Sequence, residues 1–183
     1  MADSRKLIVT ENISANGVIE FLDPWFNPSE EDDDLLEVLL SFTRAETDLI
    51  LGRQTFEDFR GYWPLQTDDR TGFTAHLNQV QKHVVSSTMT DPAWENSSVV
   101  AASLIEAVQQ LKRTPGGEIG ITGSISVVHE LMRAGLVDEY RLTVYPVLTA
   151  RGRNLVPDDL SMTGLTLTES RSFASGVVLL TYT

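Results

Sequence analysis

The chain contains no cysteine. That excludes a disulfide framework, a thiolate metal site and a cysteine nucleophile. Basic residues are scarce: 14 Lys and Arg stand against 26 Asp and Glu, a formal net charge of -12 over 183 residues with a pI near 4.5. This balance argues against a general nucleic-acid binder, which needs clustered cations to neutralise phosphates. A few local groups can still hold a small anionic ligand. Long apolar runs are missing too. A signal peptide needs about 7–15 apolar residues and a membrane span about 20, so the expectation is a cytoplasmic protein without membrane contact. Two Asn-x-Ser sequons, at Asn12 and Asn96, read as chance in that setting. His76, His83 and His129 share no ligand spacing, so they are expected to be structural and no metal is expected. No repeat, low-complexity stretch or Pro/Gly/Ser-rich linker divides the chain, which points to a single domain over 1–183.

What remains is an alternation of short β-branched runs with longer stretches of helical spacing. Strands are expected at Lys6–Thr10, Leu49–Leu51, Val84–Ser86, Val99–Ala101, Ile119–Thr122 and Arg141–Tyr145. Asn16-Gly17 marks a tight turn, after which Val18-Ile19 is expected to be extended. Two further strands, near Leu165–Glu169 and Val177–Tyr182, are joined by a Ser/Gly turn and read as an antiparallel hairpin. Helices are expected after Pro28-Ser29, with Ser29 as cap and Asp32, Asp33 and Asp34 in a solvated first turn. Others fall over Thr55–Phe59, Thr71–Gln81, Ser103 to about Lys112 (Ser103 and Glu106 forming a capping box) and from Gly123-Ser124 to Gly135. Helices between strands imply crossovers and parallel pairing. The expected fold is an α/β/α sandwich around a mainly parallel eight-stranded sheet with an antiparallel C-terminal hairpin.

Two strand ends run straight into Gly-led helix starts. In Leu51-Gly52-Arg53-Gln54-Thr55, free N–H groups, the Thr55 hydroxyl and the Arg53 fork suit phosphates; an ordinary turn with an exposed Arg is the alternative. In Thr122-Gly123-Ser124-Ile125 a pyrophosphate could rest on a helix start, or the serine could be a plain cap. No G-x-G-x-x-G fingerprint or P-loop lysine is present. A third strand end, Ser86-Ser87-Thr88, offers hydroxyls for a ribose or phosphate, or a capped loop. Open α/β sheets bind ligands outside the carboxyl ends of their strands, which favours reading the ends together. Trp25, Phe26, Tyr62 and Trp63 flank this region and either stack on a flat ring or plug loop ends.

Ser14-Ala15-Asn16-Gly17, Gly52-Arg53-Gln54-Thr55-Phe56-Glu57, Val84-Val85-Ser86-Ser87-Thr88-Met89, Gly123-Ser124 and Gly135-Leu136-Val137-Asp138-Glu139 through Pro146 occur in that order. In this the chain resembles the dihydrofolate reductase-like superfamily, and more closely the branch of the riboflavin-biosynthesis reductase (RibD C-terminal) domain. The resemblance spans roughly residues 6–156. It implies an NADPH-dependent reductase that passes a hydride to a pterin, pyrimidine or related heterocycle, often as a homodimer. It places Arg53 at the adenosine 2′-phosphate, Gly52 and Thr55 at phosphates, and Ser86 and Ser87 on the adenosine side. Gly123, Ser124 and Ile125 would wrap the pyrophosphate, and Ser14, Asn16 and Gly17 would close over the nicotinamide. Asn16 stands where many relatives have Asp, and Ser87 where many have Arg. The catalytic proton donor stays unassigned. A nucleotide-binding module of this fold without turnover, acting as a sensor or assembly partner, is the alternative function.

Overall fold

The computed structural model describes residues 4–27, 32–69, 71–100 and 103–183. In chain order the elements are β1 (Leu7–Ser14), α1 (Asp33–Ala45), β2 (Glu46–Gly52), α2 (Arg53–Tyr62), a 3-10 turn (Trp63–Leu65), α3 (Phe73–Gln79), β3 (Gln81–Val85), β4 (Ser97–Val100), α4 (Leu104–Leu111), β5 (Glu118–Ile121), α5 (Ile125–Arg133), β6 (Glu139–Tyr145), β7 (Leu167–Ser172) and β8 (Val178–Tyr182). One sheet of order β4-β3-β2-β5-β1-β6-β8-β7 joins all eight strands. The six strands from β4 to β6 pair in parallel, and β8 pairs antiparallel with both β6 and β7. This is the expected mixed sheet with its C-terminal hairpin.

Strand alternation divides the core. Leu7, Val9 and Ile13 of β1, Ile50 of β2 and Ile119 and Ile121 of β5 face α4 and α5, where Val108, Val128 and Leu131 are buried. Leu49 and Leu51 of β2 and Val84 of β3 face the other way, onto Phe56 of α2 and Leu77 of α3. On that same side α1 packs Leu35 near Tyr145 of β6 and Val177. The run Val177–Leu180 is an inner strand region rather than an outer face: β8 is paired on both edges, and the exposed edge strand is β7.

Local differences from expectation have local causes. Val18 makes a single bridge to Asn154 and no strand follows, because Ile19 is tied instead to the Arg153 carbonyl. Helix α2 begins at Arg53, directly after Gly52, so Arg53 sits on the first turn and pairs with Glu57 one turn on, at 3.0 Å. Helix α3 is shorter than Thr71–Gln81 because Gln81 already begins β3. Asp33 and Asp34 do occupy an exposed first turn of α1; Ser29 and Ala101 lie outside the described residues. Ser103 caps α4 through the Glu106 N–H, and Gly135 ends the α5 region at φ +63°. Among the described residues no helix is long and apolar enough to cross a membrane.

Candidate active site

Parallel pairing of β3, β2, β5 and β1 brings their carboxyl ends to one edge. Gly52 is registered with Val85, Ile50 with Ile121, and Val9 with Ile121. The segments that follow, Ser86-Ser87, Gly52-Arg53, Gly123-Ser124 and Ser14–Gly17, therefore stand in a row. The two central ones are bonded to each other: Ser124, at the start of α5, does not cap its own helix but accepts the Gly52 N–H on its hydroxyl at 2.9 Å. Gly123 adopts φ +64°, a conformation that suits glycine, and a side chain there would also press on Thr55 Cγ2.

Several groups in the row already have partners. The Gly123 N–H donates to Glu11 Oε1 at 2.7 Å, the Ser124 N–H to the Thr122 carbonyl and the Ile125 N–H to the Gly123 carbonyl. Arg53 is half exposed and held by Glu57. Ser86 caps its loop, accepting the N–H groups of Thr88 and Met89 at 3.2 and 3.0 Å, while Ser87 is exposed. Ser14 accepts the Val18 N–H, and Asn16 bridges to the backbone of Thr149 through both ends of its amide. Gly17 takes φ +93° in that turn.

Beside this row lies a cleft of about 230 Å³ over β5. On this face β5 offers Glu118, which is held by Arg141, and then Gly120 before Thr122, so the floor beneath the cleft is low. A Cβ at residue 120 would collide with the Glu46 carboxylate, which occupies the space above the glycine. Leu36, Leu39, Phe42 and Thr43 of α1 form one wall; Phe59, Trp63 and Phe73 form the other; Phe21 and Phe26 also line it, with Thr10, Asn12 and Thr71 among the polar residues. An apolar cavity of about 150 Å³ suffices for a benzene ring, so this one has room for a larger flat ring. Of the aromatic residues flagged in the sequence, Phe26 and Trp63 line the cleft. Trp25 packs against Phe21 and Tyr145, and Tyr62 sets its ring edge-on to Trp63 with half its surface exposed.

Two carboxyl groups at the cleft were missed in the sequence. Glu11 is 3 % exposed, and burial raises its pKa from 4.5 to about 8, opposed only in part by the Gly123 hydrogen bond. Alternation puts it on the side of Leu7, Val9 and Ile13, an inward strand position where an acid is conspicuous. Glu46 is raised as well, by burial first, against the pairing with His76 Nε2 at 2.7 Å that lowers it. Thirty residues separate Glu46 from His76, and no local pattern joins them. His76 is thus part of the cleft's support. His83 pairs with Asp48 at 2.8 Å and His129 with the Asn154 carbonyl at 3.0 Å, both away from the cleft lining. Asp32 accepts the Ser175 N–H, and neither it nor Asp33 or Asp34 lines the cleft.

Comparison with known proteins places these observations. The sequence profile of the RibD C-terminal domain matches residues 5–179. The uncharacterized protein YyaP of Bacillus subtilis strain 168 is 29% identical over 184 residues, covering 97% of this chain and 94% of that protein. YwjB of the same organism is 25% identical over 181 residues, covering 96% of each. Among solved structures, a protein assigned to riboflavin biosynthesis from Shewanella sp. PV-4 superposes with a TM-score of 0.74 at 20% identity, covering 97% of both chains. A pyrimidine reductase-like protein from Corynebacterium diphtheriae gives 0.68 at 17% identity, covering 98% of this chain and 92% of that one. At those identities the likeness is one of fold.

Proposed function

The chain belongs to the RibD C-terminal domain family, and on that premise we propose that it is an NADPH-dependent reductase of a heterocyclic small molecule. The observation that carries this reading is the row of four strand ends opening beside an aromatic cleft. A dinucleotide needs an extended polar track, and a ring that accepts a hydride needs a flat apolar slot next to its end.

The donor set fits the cofactor. The half-exposed Arg53 guanidinium suits a 2′-phosphate, because an exposed ion pair such as Arg53–Glu57 contributes about 0.2–1 kcal/mol and exchanges readily. Thr55 beside Gly123 and the N–H groups at 123–125 suit the pyrophosphate; Ser86 and Ser87 suit the adenosine side; Ser14, Asn16 and Gly17 suit the nicotinamide end. NADPH, when bound, supplies the hydride. The chain's residues orient the two partners and manage the proton. Glu11 accepts from Gly123 with Oε1, which leaves Oε2 to carry the proton that burial retains to about pH 8. A neutral Glu11 adds no negative charge behind the segment that would meet a pyrophosphate, and a phosphate oxygen can replace its carboxyl at the Gly123 N–H. A homodimer is part of the same reading, and sedimentation tests it.

A nucleotide-binding module without turnover is the second reading. It is favoured by the cleft lining, in which no acid of the first turn of α1 takes part. Titration with NADPH and NADH, followed by NADPH oxidation with pterins and aminopyrimidines, separates the two. Binding with consumption supports the reductase, binding without consumption supports the module, and binding of neither cofactor overturns both.

A further inference from the structure

β1 sets a carboxyl where the row of strand ends meets the cleft. Glu11 follows Leu7 and Val9 on the inward face of the strand and is almost wholly buried. It accepts the Gly123 N–H at 2.7 Å, and both residues line the cleft. Gly123 leads into α5, so the donor that Glu11 occupies belongs to the segment suited to an anion. In the free chain this side chain stands where a phosphate oxygen would be received.

The groups around Glu11 explain why its charge matters there. In the sheet, β6 sets Leu142 in register with it. Across Gly123, α2 presents Thr55, while its Arg53 is paired with Glu57. Helix α5 turns Ile125, Val127, Val128 and Leu131 inward; of its titratable residues, His129 is bonded to the Asn154 carbonyl, Arg133 to Asp159, and Glu130 is exposed. Glu46, the other acid in the cleft lining, is paired with His76. Burial raises the pKa of Glu11 to about 8, and what opposes it is the Gly123 hydrogen bond rather than a nearby cation. An ionised Glu11 would confront a pyrophosphate with a second, desolvated negative charge, and like charges at close range disfavour each other strongly. A neutral carboxyl can yield the Gly123 N–H and turn its own O–H into a donor toward the anion.

We propose that dinucleotide binding is coupled to protonation of Glu11: the row receives a pyrophosphate with this carboxyl neutral, and ionised Glu11 and the pyrophosphate exclude one another. This rests on the reading that the Gly123 segment meets the pyrophosphate of a nicotinamide cofactor. The proton passes from solvent to a Glu11 oxygen as the cofactor binds and returns as it leaves. No bond of the cofactor is made or broken in the step, so Glu11 acts on binding and not on hydride transfer.

Calorimetric titration of NADPH and of NADH at pH 7, 8 and 9 tests this, with circular dichroism confirming the fold at each pH. Both cofactors carry the pyrophosphate, so both should weaken by about tenfold between pH 7 and pH 9, the factor set by one pH unit above the midpoint of Glu11. At pH 8 the wild-type chain should take up about half a proton per cofactor bound, read from the difference in heat between phosphate and Tris buffers. In Glu11→Gln the weakening should shrink to less than about twofold. Parallel losses in wild type and variant overturn the proposal, as does a heat at pH 8 that is the same in both buffers. The buffer comparison needs no variant and decides the matter if Glu11→Gln does not fold. A loss confined to NADPH assigns the pH dependence to the 2′-phosphate and overturns it as well. Cofactor binding without a pH profile removes this inference and leaves the reductase reading; binding of neither cofactor at any pH removes both.

Discussion

Replacing Glu11 with glutamine should abolish a pH dependence of stability that the wild-type chain carries between about pH 4.5 and pH 8. The carboxyl is almost wholly buried, among the described residues it accepts a hydrogen bond from the Gly123 N–H at 2.7 Å, and burial raises its pKa from 4.5 to about 8. Below pH 4.5 the folded and unfolded chains both hold the proton, and the group is neutral to stability. Between the two values only the folded chain holds it, so each pH unit removes about 1.4 kcal/mol. Above pH 8 both states are ionised, and the accumulated cost of about 5 kcal/mol persists. That is a large share of the 5–15 kcal/mol by which domains are typically stable. Glutamine keeps the shape and the acceptor for Gly123 but cannot ionise. Its buried amide adds a pH-independent offset of about 1–3 kcal/mol if its NH₂ group finds no partner. Urea unfolding of both proteins at closely spaced pH values measures the difference, and subtraction cancels every other titrating group. Mutant minus wild type should be flat below pH 4.5, rise through neutrality and level off near pH 8. Parallel curves from pH 5 to pH 8 would refute the burial argument.

Further expectations can be checked alongside. Arg53→Ala should weaken NADPH by a few kcal/mol and NADH hardly at all, since only NADPH offers the phosphate that a charge-assisted fork would bind; equal loss for both cofactors in a titration would remove Arg53 from that role. Gly120→Ala should destabilise the fold by about 1–3 kcal/mol, because the new methyl group meets the Glu46 carboxylate, and urea unfolding of the variant beside the wild-type chain measures the loss. Lys82 is fully buried, donates to the Leu77 and Val80 carbonyls at 2.5 and 3.0 Å, and lies over the Trp94 ring. Burial lowers its pKa from 10.5 to about 8, so the unfolded chain binds more protons between those values and wild-type stability should rise there with pH. Lys82→Met should lose that rise in denaturant unfolding; a rise that persisted would show that the ammonium is not desolvated in the fold.

Much of the fold was legible because it is written in short-range patterns. Leu7, Val9 and Ile13 alternate as an inward strand face must, Ser103 and Glu106 stand at capping distance, and Gly135 follows the last apolar residue of its helix. The row of polar strand ends was legible for a related reason: Gly52-Arg53 and Gly123-Ser124 each end a strand, and a parallel sheet must bring such ends to one edge. Where the sequence left alternatives open, neighbours in space decided. Ser124 looks like a helix cap, yet its hydroxyl serves Gly52, 72 residues earlier in the chain. Val18-Ile19 has strand-like residues, but the segment that meets it is the loop around Arg153 and Asn154.

The sequence by itself determined the element order, the parallel sheet with its terminal hairpin, and the polar strand ends, since periodicity, capping and turn chemistry act over a few residues. Only the tertiary structure decided that Glu11 sits under Gly123, that Glu46 meets His76 above Gly120, and that aromatic rings from α1, α2, the 3-10 turn and α3 wall one cleft. The physical reason is separation along the chain. Burial and desolvation, which set the protonation of both glutamates, depend on atoms 30 to 112 residues away, and such partners become visible only once the strands are laid side by side.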